Sequence, residues 1–296
     1  MFTRYPEQRR ISLFAVLAVV VTLLVTACGG SATSTPASTA TSNSPATTPT
    51  SSATTATVTL KHVPNGTADL SWDPTSHMLT VKIALVGLAP SSTHPSHIHT
   101  GSCSNQGNVI HTLQNIVADA HGVATATTMV SVPQGIPASG WYVNVHNGPG
   151  LGTSDQFLPI VCGDVSNSST STTAAQSVHV TLTSAPGASA GETVSGMAQL
   201  SLSGTTLTVK LTLSGLEPNS AHAAHIHSGS CESQGAVVYP LTTVKADASG
   251  NAMVMTTINN VSSIPSSGWY VNVHHSTALS TQTGFDPIAC GNVTVG

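Results

Sequence analysis

Charge is what this chain has least of. Only 6% of its 296 residues are Asp, Glu, Lys or Arg, and only 4% are aromatic. All three arginines (Arg4, Arg9 and Arg10) fall in the first ten residues, so everything downstream is arginine-free. Beyond residue 28, four lysines face ten acids, a formal charge of −6. No basic patch for nucleic acid can be assembled from that set. Paired carboxylates are scarce, no serine sits in a GxSxG elbow, and no glycine-rich loop leads into a helix. Hydrolase and phosphate-binding chemistries therefore lack their usual residues, and no catalytic residue is assigned. The sequence also lacks helical periodicity after its N-terminal apolar run.

That run, ISLFAVLAVVVTLLVTA, follows Arg9 and Arg10 and ends at Cys28-Gly29-Gly30. A basic start, a short apolar core and small residues before a cut site describe a secretory signal. The segment VTAC resembles the lipobox of bacterial lipoproteins. The resemblance implies cleavage before Cys28, lipidation of Cys28 and a body held outside the cytoplasm on the cell membrane. At 17 residues the run is marginal for spanning a bilayer. Residues 29–57, almost all Ser, Thr, Ala and Pro, cannot bury enough apolar surface to offset their ordering entropy and are expected to be a disordered tether.

The remainder is a duplication. Leu79-Thr80-Val81-Lys82 recurs at Leu207-Thr208-Val209-Lys210, 128 positions on. His97 and His225, Cys103 and Cys231, Trp141 and Trp269, His146 and His274, and Cys162 and Cys290 keep the same offset. The first strand differs, VTL at Val58 matching VTL at Val180 with an offset of 122. Two tandem domains are expected, at 58–165 and 178–296, joined by a polar linker at 166–177. Each reads as all-β. Short Val/Thr/Leu/Ile runs alternate with period two between turns such as VPNG, LAPSS, DAHG and DASG. About eight strands per unit predicts an antiparallel β-sandwich or flattened barrel.

Setting Cys28 aside leaves four cysteines, which allow three pairings. The repeat favours one within each copy, Cys103–Cys162 and Cys231–Cys290. Each closes 59 residues, worth about 4 kcal/mol by chain entropy. Such bonds persist in oxidising compartments.

The histidines carry the chemistry. In a strand, alternate side chains share a face, so His97 and His99 point one way while Ile98 points into the core. In WYVNVH the same parity puts Tyr142, Asn144 and His146 opposite Trp141, Val143 and Val145. His225, His227 and His274 repeat the arrangement. Were the two strands neighbours, three imidazoles would meet on the outer face of the sheet. Imidazole suits copper, zinc, iron and nickel. His94 and His222 lie close enough in sequence to add a fourth nitrogen. His62, His77, His111, His121, His179 and His275 lack counterparts and are expected at the surface. On an exposed strand an isolated His-x-His is ordinary, so the bland alternative is a set of surface histidines.

HIHTGSC, the turn VADAHG, the strand WYVNVH and the ending PIVCGDV occur in the order found in Cu,Zn superoxide dismutases. The segments also resemble bacterial chordin-type (CHRD) domains, which carry a similar HIHxG strand and WYVNVH, and this is the closer match. The dismutase resemblance implies a Greek-key sandwich, the same disulfide, and copper at His97, His99 and His146 and at His225, His227 and His274. The departures are as informative. Only 15 residues separate Cys103 from Asp119, too few for a zinc loop, so no zinc site is expected. His111, nearest the copper–zinc bridging position, is Tyr239 in the second copy. No arginine is available to draw in superoxide, and the net charge is negative. Three readings follow: a metal-binding envelope lipoprotein, a structural or protein-interaction module without metal, and a superoxide dismutase.

Overall fold

A computed structural model describes residues 53–184 and 193–295. The signal-like segment, Cys28 and most of the tether lie outside the described residues. Among these residues no helix is long and apolar enough to cross a membrane.

The first half of the chain forms β1 (Thr54–Leu60), β2 (Asn65–Asp73), β3 (Met78–Val86), β4 (Thr93–His94), β5 (Ser96–Ser102), β6 (Asn105–Thr112), β7 (Ile116–Val117), β8 (Ala124–Ser131), β9 (Trp141–His146), a helical turn α1 (Ser154–Phe157) and β10 (Pro159–Val165). The second half repeats the series. It runs β11 (Gln176–Leu182), β12 (Ser195–Ser203), β13 (Thr206–Ser214), β14 (Ala221–His222), β15 (Ala224–Gly229), β16 (Gln234–Pro240), β17 (Val244–Lys245), β18 (Ala252–Ile258), β19 (Trp269–His274), α2 (Gln282–Phe285) and β20 (Pro287–Val293). The all-β expectation holds.

Each lobe is a sandwich of two four-stranded sheets. The first lobe has the orders β11-β2-β3-β8 and β10-β9-β5-β6, the second β1-β12-β13-β18 and β16-β15-β19-β20. After long connections β8 returns beside β3 and β9 beside β5, which are Greek-key crossings. Alternation along the strands builds the cores. In β13 Leu207, Val209, Leu211 and Leu213 point in and the intervening residues point out. Leu79, Val81, Ile83 and Leu85 do the same in β3. Trp72 closes the end of the first core by donating its indole N–H to the Val132 carbonyl at 2.7 Å. Each lobe carries one disulfide, Cys103–Cys162 and Cys231–Cys290.

At one point strand pairing crosses from one repeat to the other. The lobes exchange their first strands: β1 pairs with β12, Val58 opposite Ala198, and β11 pairs with β2, Val180 opposite Ala68. Val58 and Leu60 therefore lie in the second lobe's core, and Val178, Val180 and Leu182 in the first's. The reason lies in the connecting segments. After Leu60 the backbone of Lys61 exchanges two hydrogen bonds with Cys290, at 3.1 and 2.8 Å, so the chain extends along the second lobe rather than turning back. Thr183 makes the same pair with Cys162. Gly291 and Gly163 allow this approach. A Cβ on Gly291 would lie 2.3 Å from the Thr59 carbonyl oxygen, and one on Gly163 would lie 2.4 Å from that of Thr181.

Two smaller expectations change with it. The tether's last residues belong to β1, and the linker is partly structured: Asn167 and Gln176 are buried, and Gln176 accepts the Ile136 N–H at 2.6 Å. Three of the histidines expected at the surface instead serve the lobe–lobe contact. His121 donates Nδ1–H to the Gln234 carbonyl at 3.0 Å, while His62 and His275 line a cavity of about 30 Å³ between the lobes. Gln282 binds across the same contact, donating to the carbonyls of Thr93 and Asn147 and accepting the Thr93 N–H.

Asp286 also lines that cavity, at the position that Leu158 holds in the first copy. It is buried, and neither carboxyl oxygen has a hydrogen-bond partner among the described residues. Burial holds its pKa well above the carboxylate value of 3.8. A raised folded-state pKa carries no penalty below 3.8, where both states are neutral; the penalty grows as the pH rises and the unfolded chain ionises. Asp286→Asn is therefore expected to raise the melting temperature at pH 7 by several degrees and to leave it unchanged near pH 3. Equal shifts at both pH values in thermal scans would refute this account.

Candidate metal centres

The expected histidines converge. In the first lobe β5 lies beside β9 with His97 opposite Asn144 and His99 opposite Tyr142, and His146 follows at the end of β9. In each copy the three imidazoles can offer ligand atoms all within 4.8 Å of one another. The ring centroids of His97, His99 and His146 are 5.2–5.9 Å apart, and those of His225, His227 and His274 are 5.1–5.8 Å apart.

The hydrogen bonds determine which nitrogens face the centre. His99 Nδ1 lies 3.1 Å from the Gly107 carbonyl oxygen and His146 Nδ1 lies 2.6 Å from that of Phe157. A carbonyl only accepts, so both Nδ1 atoms carry the proton and both Nε2 atoms keep a lone pair as acceptors. His227 and His274 repeat this on Gly235 at 3.0 Å and Phe285 at 2.6 Å. His99 Nε2, His227 Nε2 and His97 Nδ1 are buried without a hydrogen-bond partner among the described residues. The donor set is thus Nδ1 of His97 with Nε2 of His99 and His146. A carbonyl on the far nitrogen of a ligating imidazole is the usual outer-shell support of a metal site. In the second lobe His225 Nδ1 lies 3.1 Å from His274 Nε2, so one proton occupies the place an ion would take. Binding there would require His225 to carry its proton on Nε2 instead, the ring staying neutral.

Burial favours the neutral form of five of the six rings. His97 is pushed down to about 4, by burial first and then by the neighbouring His146 and His99. His274 is pushed down to about 4, and His146, His225 and His227 are lowered too, each mainly by burial. Neutral imidazole is the form that ligates metal.

The outer face is less open than strand parity implies. His97, His99 and His146 are only 7%, 5% and 1% exposed. Phe157, brought in by α1, stands over His146 with its ring centroid 5.2 Å away. Tyr142 stacks on His99 at 4.9 Å, and Tyr270 on His227 at 5.0 Å. Tyr142 in turn packs on Cys103 and Cys162, so the disulfide backs the ligand strand. Asn144 Nδ2 lies 3.2 Å from His146 Nε2. Parity had already put Tyr142 and Asn144 on the ligand face; the supporting carbonyls of Gly107 and Phe157 left no mark in the sequence, because a backbone group has no residue-type signature.

His94 and His222 do not join the centres. His94 Nδ1 is 3.0 Å from the His146 carbonyl oxygen and its Nε2 is 2.7 Å from Ser92 Oγ. His222 is held alike by the His274 carbonyl, at 3.0 Å, and Ser220, at 2.6 Å. With both nitrogens engaged they brace the ligand strand. His111 stands edge-on to Trp141, a place that Tyr239 takes against Trp269, so the position keeps an aromatic rather than a ligand.

Fold and site together define a duplicated, disulfide-bonded Greek-key β-sandwich protein with a three-histidine cluster in each lobe, five of the six rings buried. The CHRD domain family model matches residues 35–149 and 169–279, and the chain belongs to that family. The two matches contain all six histidines of the clusters. No curated protein matches the chain.

Proposed function

We propose that the protein is a cell-envelope lipoprotein, anchored through Cys28, that binds one copper-type ion in each lobe and holds or delivers it. The observation that carries this reading is the donor set: three converging imidazoles per lobe, five of the six buried, two in each lobe fixed by backbone carbonyls with their Nε2 atoms turned inward. Desolvating unpartnered nitrogens costs free energy that a metal would recover. Nitrogen-only donors suit copper among the first-row ions. The disulfides and the CHRD domains support a place outside the cytoplasm.

Superoxide dismutation is a poorer reading. No arginine stands beyond Arg10 to attract the anion, and the histidines are nearly closed off from solvent. Storage or transfer makes no demand for fast anion entry.

The test is metal retention by residues 29–296, which omit Cys28, loaded with copper and dialysed. About two ions per chain are expected, one for each cluster, and essentially none in the His97→Ala/His225→Ala variant. No retained metal in the parent would leave a structural or protein-binding module instead. For the anchor, the full chain is expected in the membrane fraction, and Cys28→Ser in the soluble fraction.

A further inference from the structure

The outer face of the sheet β1-β12-β13-β18 departs from its own duplicate at three adjoining positions. Met197, Met253 and Met255 point outward there and are 46%, 66% and 61% exposed. They are three of the five methionines among the described residues. Met197 and Met253 flank Thr212 on its two neighbouring strands, and Met255 flanks Lys210. In the first lobe the same ladder places Thr67 and Thr125 on either side of Ala84, and Thr127 beside Lys82. Where one lobe has three threonines, the other has three methionines.

Threonine is the ordinary choice for an exposed strand position. Three exposed thioethers give up the hydrophobic gain of burial, and no apolar neighbour covers them among the described residues. What they share is sulfur. Thioether sulfur is a soft donor that selects Cu(I) over harder ions.

We propose that this face binds a Cu(I) ion through the thioethers of Met197, Met253 and Met255, a second kind of copper site apart from the histidine clusters. Strands stand about 4.8 Å apart, so Met197 and Met253 arise roughly 10 Å from each other, and Met253 and Met255 roughly 7 Å along one strand. Methionine's three rotatable bonds span such gaps. Thr212, short and between them, leaves the floor of a groove open; Met197, Met253, Ser214, Asp247 and Asn251 form its sides. Asp247 puts a carboxylate at that end, while Lys210 lies at the register of Met255. The ion accordingly sits toward Met197 and Met253, on the acidic side.

The site stands whether or not the histidine clusters hold metal, and the experiment separates the two. The chain from residue 29 onward, which omits Cys28, is labelled at its methionine ε-methyl carbons and titrated anaerobically with Cu(I). The ε-methyl signals of Met197, Met253 and Met255 are expected to shift, with Met78 and Met129 unmoved, and the shifts should survive in His97→Ala/His225→Ala. Met197→Thr/Met253→Thr/Met255→Thr installs residues the first lobe already uses, so folding is preserved. It should lose one equivalent of Cu(I) in competition with bicinchoninate. Unmoved signals at the three positions, or equal Cu(I) uptake by parent and triple variant, would overturn the proposal.

Discussion

Leu60→Ala is expected to destabilise the second lobe and spare the first, although Leu60 belongs to the first repeat. Leu60 is fully buried in the second lobe's core, beside Leu200, Leu211 and Leu213. Truncating a buried leucine costs about 2–5 kcal/mol, the transfer term plus the cavity left behind. The mirror variant is Leu182→Ala, since Leu182 is buried in the first lobe's core. Native-state hydrogen exchange reads the lobes separately. Amides of β12 and β13 should lose protection in Leu60→Ala, and those of β2 and β3 in Leu182→Ala. The opposite assignment would mean that each repeat folds on its own first strand. The exchange also predicts that neither half is complete alone, because each lends a core strand to the other. That agrees with the two lobes forming one compact unit.

Acid is expected to destabilise the metal-free chain steeply between pH 6.5 and about 4. His94, His97 and His274 are pushed down to about 4 from 6.5, each mainly by burial. His146, His222, His225 and His227 are lowered for the same first reason. The sign follows from linkage. Above 6.5 these rings are neutral in both states and their contribution is fully present. As the pH falls below 6.5 the unfolded chain takes up protons that the folded chain refuses, and stability is lost until the folded rings also protonate near 4. His94, His97 and His274, held lowest, should contribute most. Summed over the set, a fall of roughly 10 °C in apparent melting temperature from pH 7 to pH 4.5 is the expected scale. Asp286 acts in the opposite direction, its penalty easing as acid is added. A melting temperature flat across this range after chelation would show that the rings are hydrated and the sites open. Bound metal should shift the fall to lower pH, because an ion and protons compete for the same lone pairs.

Much of the site was legible because strand chemistry is local. The period of two assigned His97, His99 and His146 to one face and Val143 and Val145 to the other, and the structure keeps that parity. The repeat picked out the disulfides found in each lobe. Parity could not say whether the ligand face was covered, because the cover comes from residues 147–158, a loop whose path no periodicity records. Nor could it tell a ligand histidine from a brace. His94 and His97 are three residues apart, yet His94 spends both nitrogens on Ser92 and the His146 carbonyl while His97 Nδ1 has no partner among the described residues.

What the sequence by itself determined is the all-β class, the duplication, the pairing of the cysteines and the residues of the two clusters. All of these follow from alternation and from counting along one chain. Only the tertiary structure decided which lobe each first strand completes, which nitrogen of each imidazole faces the centre, and that Asp286 lies between the lobes. The physical reason is common to the first two. Val58-Thr59-Leu60 and Val180-Thr181-Leu182 present the same alternation and fit either sheet equally. Choices among such equivalents are settled by backbone groups that carry no residue identity: the Lys61–Cys290 and Thr183–Cys162 hydrogen bonds for the strands, and the Gly107 and Phe157 carbonyls for the imidazoles.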